Sequence, residues 1–362
     1  MRELNTIKLS IIKVIYRNRV LRIALAIFCT FAGFQDSLCA QSSNSALARL
    51  AANLQPGSWA ELETHGMTKE LIASNGSYRT ILEYADKAVW DSDSETLFFV
   101  GGGHYAGMEF ISYNAQTNTW EHLDDPYWFS GIEICHAYHA VAIDVKRRLL
   151  FFLLCNSRKV YQYHIETKQW SQLPENPNGS TSSAMALEYF PEMDGLVHVI
   201  NGEVNFFDKK KSNWLNLAMD LTMGNYHNFA EYNPVHNSIL FGGGNSSTDI
   251  YKLVADGGIQ KMTSAPFVLA LSRAVITSDP VSGEFLVLGG ETDFYSYNIK
   301  TDYWKRQPSP TVPIFKHVAN ESNIFGCLAA PVSNYGIVMF VKLTKARSAR
   351  VFLYKHAAAN SQ

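Results

Sequence analysis

YNAQTNTW, residues 113–120, closes a β-prone run with Tyr113 and places Trp120 seven positions later. The frame returns as YHIETKQW ending at Trp170, FDKKKSNW ending at Trp214 and YNIKTDYW ending at Trp304, while almost nothing between the two aromatic positions is kept. A fixed interval with variable contents marks a hairpin. The first aromatic ends one strand, a short polar turn follows, and the Trp opens the next. A single inserted residue would swing the Trp to the opposite face, so the interval is held even where its contents drift.

Working outward, each frame is preceded by a strongly β-prone run: LFFVGGG, LLFFLLCN, LVHVING, ILFGGGN, FLVLGGE and, last, IVMFVKL. Ahead of each run lies another apolar stretch ending in a turn rich in Asp, Asn, Pro or Gly, such as AVWDSDSE and ALEYFPEMDG. The unit is therefore four strands, labelled a to d. The four Trp residues are separated by 50, 44 and 90 positions, and the last interval holds one more unit whose Trp is replaced near Ile259. Repeats of about 45 residues with four strands each predict a β-propeller.

In these features the chain resembles the Kelch family, including the central propeller of galactose oxidase-like proteins. The residues that carry the likeness are the glycines of VGGG at 101–103, FGGG at 242–244 and LGG at 289–290, each followed by an aromatic-to-Trp frame or its remnant. The second blade lacks a glycine pair and the third keeps only Gly202. Copper oxidase chemistry does not carry over, because its Cys–Tyr constellation cannot be matched residue by residue around Cys135.

The two ends of the repeat region explain each other. The last unit supplies CLAAP, IVMFV and RVFLYKH but no Trp, whereas GSWAEL, residues 57–62, is a Trp strand with no blade before it. The expected fold is all-β: a six-bladed β-propeller of four-stranded antiparallel blades, its ring closed by an N-terminal strand that completes the last blade beside Tyr354. Closure removes the exposed sheet edges that would recruit other chains.

Residues 1–40 read as a signal peptide. Lys8, Lys13, Arg17, Arg19 and Arg22 precede a charge-free run of twelve, IALAIFCTFAGF, and then QDSLCA. The run is short of the roughly 20 residues a membrane span needs, so no stable span is expected once the signal is cleaved, and the mature protein is expected to be secreted or periplasmic. Residues 41–56 are expected to be a linker, 57–357 the propeller and 358–362 a C-terminal tail. Cys135, Cys155 and Cys327 then remain, with no Cys-x-x-Cys motif. Cys155 reads as a small buried residue, and a Cys135–Cys327 bridge is an alternative. Asn75, Asn178, Asn245 and Asn320 stand in glycosylation sequons.

A net charge of −2 gives no broad reason to bind nucleic acid or an acidic membrane, and neither is expected as a partner. Only KLTKARSAR, residues 342–350, is locally basic. It reads as a solvated hairpin, with a small anion-binding patch as the alternative.

In an up-and-down propeller the d-to-a and b-to-c connections share one face, and here they include the long loops, where function concentrates. That face is expected to present Arg79, His104, Tyr105, His136, Asn228, Glu291, Lys316 and His317 for binding. Tyr127 and Trp128 are further stacking residues, Trp128 also reading as a loop anchor. His139, Tyr226, His227 and Arg273 are the catalytic candidates, expected to converge on the central channel. The expected function is a glycan- or protein-binding module. The alternative is a sugar-active enzyme, of polysaccharide lyase or epimerase type, in which a cation neutralises a carboxylate while His and Tyr move protons. No cofactor is expected and no metal: His136, His139, His227 and His317 form no compact ligand motif.

Overall fold

Tyr113 and Trp120 stand directly opposite each other on neighbouring antiparallel strands, their ring centroids 5.2 Å apart. Tyr163–Trp170, Phe207–Trp214 and Tyr297–Trp304 repeat the pairing at 5.0, 5.2 and 4.6 Å. The recurring frame is thus a cross-strand aromatic pair, the unit of sheet stabilisation that a one-residue shift would destroy. In the fourth unit Leu253 faces Ile259 instead, a smaller apolar pair on the same ladder.

The computed structural model describes residues 44–132, 135–177, 179–270, 273–316 and 322–357. The expected leader and tail, the sequon residues Asn178 and Asn320, and His317 lie outside the described residues.

Six four-stranded antiparallel sheets make up the molecule. Blade 1 runs Val89–Asp91, Thr96–Gly103, Gly107–Asn114 and Thr119–His122. The innermost strands, a, of blades 2 to 6 are Val141–Asp144, Ala186–Phe190, Asn228–Asn233, Ala274–Ser278 and Cys327–Val332. Each a strand contacts the next, and the sixth contacts the first, so the ring closes. Backbone hydrogen bonds cross between blades at its centre, as from the Ala88 amide to the Ala329 carbonyl at 3.0 Å and from the Leu187 amide to the His139 carbonyl at 2.8 Å. The chain is a six-bladed β-propeller.

Closure follows the expected route. Ser58–Leu62 pairs with Ala349–Lys355 of blade 6, with Trp59 opposite Tyr354. The Trp59 ring lies 4.6 Å from Tyr354, 5.3 Å from Phe340 and 5.5 Å from Phe294 of blade 5. Within the stretch expected to be a linker, Ala46–Asn53 forms a helix, α1, capped by the Ser45 hydroxyl, and Leu47 and Ala51 pack into the cluster between blades 6 and 1.

The core lies between neighbouring blades. Phe285, Val287 and Tyr297 of blade 5 pack on Phe229, Leu240 and Ile250 of blade 4, and Leu286 and Phe294 pack on Phe340 and Phe352 of blade 6. Burying each such side chain contributes about 1.5–3 kcal/mol. Glycine is required where loops press on the strand b ends. A Cβ on Gly103 would come within 2.5 Å of the Thr80 carbonyl oxygen, and one on Gly243, at φ +64°, within 2.3 Å of that of Leu269.

A disulfide joins Cys135, in the loop entering blade 2, to Cys155, past the end of that blade's strand b. This corrects both sequence expectations, since Cys155 is not a lone apolar residue and Cys327 is free and buried. The thiols meet because the loop folds back over the blade, a reversal that sequence spacing does not show.

Candidate functional site

Two concentrations of polar side chains lie along the ring axis. The deeper one is an ionic plug. Lys87, just ahead of strand a of blade 1, reaches blades 3 and 4: its ammonium lies 2.6 Å from Glu188 Oε2 and 3.5 Å from Glu231 Oε2, and it donates to the Ala230 carbonyl at 3.1 Å. His139 of blade 2 is bonded through Nδ1 to Asp86 at 3.0 Å and through Nε2 to the Ala230 carbonyl at 2.8 Å. Glu231 also accepts from the Ser278 amide and Thr277 hydroxyl of blade 5. Burial opposes charge on Lys87, but Glu188 and Glu231 outweigh it and hold its pKa above the ordinary value. Burial likewise opposes charge on Glu231, and Lys87, His139 and the Ser278 amide together outweigh it, lowering that pKa. For His139 the Asp86 carboxylate overcomes burial and raises the pKa.

The plug corrects one expectation. His139 is 1% exposed and bonded at both ring nitrogens, so it serves the ring closure and does not share an open channel with His227 and Arg273. The alternation that put it on the inward face was right. What sequence could not supply was Lys87, which fills the channel that His139 faces. Glu188 and Glu231 carried a readable signal, a charged residue before Tyr at the same point of two successive a strands, ALEYF and FAEYN.

Beyond the plug, on the side of the a-to-b turns, a cavity of ≈ 750 Å³ opens on the axis, with Lys87, Glu188, Glu231 and Ser278 among its lining. On the opposite side, the face of the d-to-a and b-to-c connections, the second concentration is a row of aromatic rings and imidazoles. Tyr78 and Tyr105 lie 6.1 Å apart and are 54% and 62% exposed. His104 follows Tyr105 at 6.3 Å, and Tyr84, His104 and His136 pack mutually at 4.4–4.9 Å. The His136 Nδ1 shares a 2.6 Å hydrogen bond with the Tyr138 hydroxyl. Tyr138 packs on His227 at 5.2 Å, and Ser183 donates to the Tyr226 hydroxyl at 2.8 Å. Loops entering blades 1, 2, 3 and 4 all contribute.

The backbone of this row is unusual. Tyr84, Tyr105, Tyr138, Tyr226 and His227 have φ between 42° and 67°, and the remaining left-handed non-glycine residues among those described are all polar. Bulky residues held there cost on the order of 1–3 kcal/mol each, and such strain clusters at functional sites. Burial, with His104 and His227 nearby, pulls the His136 pKa down to about 4, so its ring is neutral at ordinary pH. His136 Nε2 is buried and has no partner among the described residues. Burial also lowers the pKa of His227, whose Nδ1 meets Asn245 Oδ1 at 2.7 Å.

The other expected residues separate into three groups. His104, Tyr105, His136, Tyr226 and His227 lie in the row. Arg79 lies beside it, over the Tyr78 ring at 5.4 Å, but is bonded to Glu83 at 2.9 Å. Glu291, Lys316 and Arg273 are exposed, and the Arg273 side chain has no partner among the described residues. Asn228 is buried and structural: its amide donates to the Gly224 and Gly243 carbonyls and its oxygen accepts from the Asn201 amide. Trp128 is a loop anchor stacked on Tyr161 at 4.3 Å, while Tyr127 is 65% exposed. Tyr78, Tyr84 and Ser183 were not singled out by sequence. Tyr84 could not be, because only its φ of 60° marks it. Among the described residues no group of His, Cys, Asp or Glu is placed to hold a metal ion, and no helix is long and apolar enough to cross a membrane.

No family model matches the chain, and no curated protein matches it. Among solved structures, that of a nidogen/laminin complex is similar at 10% identity, covering 63% of this chain and 80% of that one with a TM-score of 0.47. The propeller assignment stands on the strand pairing itself.

Proposed function

We propose that this chain is an exported, Kelch-like propeller that binds a glycan on the face of the d-to-a and b-to-c connections. The observation that carries the reading is the row of rings running from exposed Tyr78 and Tyr105 inward to His136 and Tyr138, held by left-handed backbone. Sugar rings present apolar C–H faces that stack on tyrosine and hydroxyls that need hydrogen bonds. The hydroxyl of Tyr226, on a ring 40% exposed, supplies one at the inner end. Affinity electrophoresis of the full-length protein through gels cast with soluble polysaccharides tests this. At least one glycan should retard the protein, and Tyr105→Ala should reduce the retardation severalfold. Equal mobility in every gel would refute the reading.

A second reading, a sugar-active lyase or epimerase, is favoured by the 2.6 Å contact between a neutral His136 and Tyr138. A neutral imidazole beside a phenol has the proton inventory for removing a proton next to a carboxylate and returning one to a leaving oxygen. New absorbance from unsaturated products, lost in His136→Asn, would establish it. Retention of the glycan without turnover would leave binding as the function.

A further inference from the structure

The basic stretch 342–350 forms the b-to-c connection of blade 6, between Ile337–Leu343 and Ala349–Lys355, so it emerges on the same face as the ring row. Beside it is a cavity of ≈ 410 Å³ lined by Lys316, Lys342, Lys345 and Arg350, with Pro313 and Phe352 among the apolar residues. Lys342 is the informative residue. It is 2% exposed, yet its ammonium makes no ion pair among the described residues and donates only to the Phe325 carbonyl. An ammonium carries three donors, and a buried charge is ordinarily paired. Burial pulls its pKa down to about 8, with the nearby Cys327 only partly opposing. Glu61, which pairs with Arg350, is the one carboxylate joined to these four cations among the described residues. A chain of net charge −2 thus gathers four cations around one small cavity.

The hairpin that lines the cavity also touches the stacking row. Arg347 of the same hairpin lies over the Tyr78 ring at 5.7 Å, and Tyr78 neighbours Tyr105 at 6.1 Å. We infer that the blade 6 cavity receives the anionic group of a glycan, a sulfate ester or a carboxylate, whose sugar rings lie on Tyr78 and Tyr105. This rests on the glycan-binding reading and narrows it to acidic polysaccharides. The anion completes the coordination that Lys342 lacks, Lys316 and Lys345 add charge at the mouth, and the tyrosines hold the neutral part of the chain.

The test measures affinity of the full-length protein for dextran sulfate, polygalacturonate and neutral dextran at two salt concentrations. At least one of the two acidic polymers should bind tenfold or more tightly than dextran, with affinity falling as salt rises. Lys316→Ala/Lys345→Ala should weaken that binding at least tenfold without changing the melting temperature, and Lys342→Met should do the same with its fold checked by circular dichroism. The two acidic polymers separate sulfate from carboxylate recognition. Lys146→Ala/Lys210→Ala, on the opposite face, should change nothing. Unchanged affinity in the Lys316/Lys345 variant, or an equal loss in the Lys146/Lys210 variant, overturns the inference. Neutral dextran bound as tightly as the acidic polymers and weakened in Tyr105→Ala would overturn it while the glycan reading stands. Absence of binding to all three would overturn the inference, and equal mobility in every polysaccharide gel would remove the glycan reading as well.

Discussion

Trp59, near the start of the described chain, faces Tyr354, near its end, across an antiparallel ladder with ring centroids 4.6 Å apart. This pair is the same cross-strand unit found inside blades 1, 2, 3 and 5, but here the two strands are joined only through the whole ring. Trp59 is partly buried, so Trp59→Ala should destabilise the protein by about 2–3 kcal/mol, below the range for fully buried aromatic residues. Deleting residues up to 62 should leave blade 6 with an open edge and promote association. Urea unfolding and light scattering would measure the two effects.

The Lys87 ammonium bridges two buried glutamates, and removing one partner of such a group leaves uncompensated charge. Lys87→Met should cost about 3–5 kcal/mol. Adding Glu188→Gln to that variant should recover part of the loss, because the remaining charge imbalance is smaller. Chemical denaturation of the single and double variants would show it.

His198 of blade 3 is buried with its Nε2 unpartnered among the described residues, and burial depresses its pKa to about 4. The sign follows from which state takes the proton first. Between about pH 6.5 and 4 the unfolded chain protonates this residue and the folded chain does not, so stability falls as pH falls. Full loss from one group whose pKa moves from 6.5 to about 4 is roughly 3 kcal/mol. His198→Gln should flatten the pH dependence of unfolding in that window, measured by urea melts at a series of pH values.

The Cys135–Cys155 disulfide closes a loop of 20 residues and fixes the segment that carries His136 and Tyr138. Cys135→Ser/Cys155→Ser should cost about 3 kcal/mol through greater chain freedom in the unfolded state. It should also weaken ligand binding more than a remote variant of equal stability. Thermal melts and affinity electrophoresis, each with and without reductant, would separate the two effects.

The repeat was readable because its information is local. An aromatic residue, a turn and a Trp at fixed spacing need only the pleat of two strands, and the unpaired GSWAEL declared the closure. The site was only half readable. His136, Tyr226 and His227 lie on the face of the d-to-a and b-to-c connections because loop connectivity places them there. The Asp86–Lys87 plug and the Cys135–Cys155 bridge depend on which loops fold inward, and this is settled by packing between blades far apart in sequence. Asn228 shows the converse error: a polar residue at the mouth of a blade is consumed by backbone groups of its own loop, of its blade's strand b and of the neighbouring blade.

The most direct measurement is titration calorimetry of the full-length protein and of Tyr78→Ala/Tyr105→Ala with soluble acidic oligosaccharides. Each ring is worth about 0.5–1.5 kcal/mol of stacking. The double variant should therefore bind about tenfold or more weakly while melting at the same temperature. An oligosaccharide bound equally well by both proteins, or displaced only by substitutions on the side of the a-to-b turns, would contradict the assignment of this face.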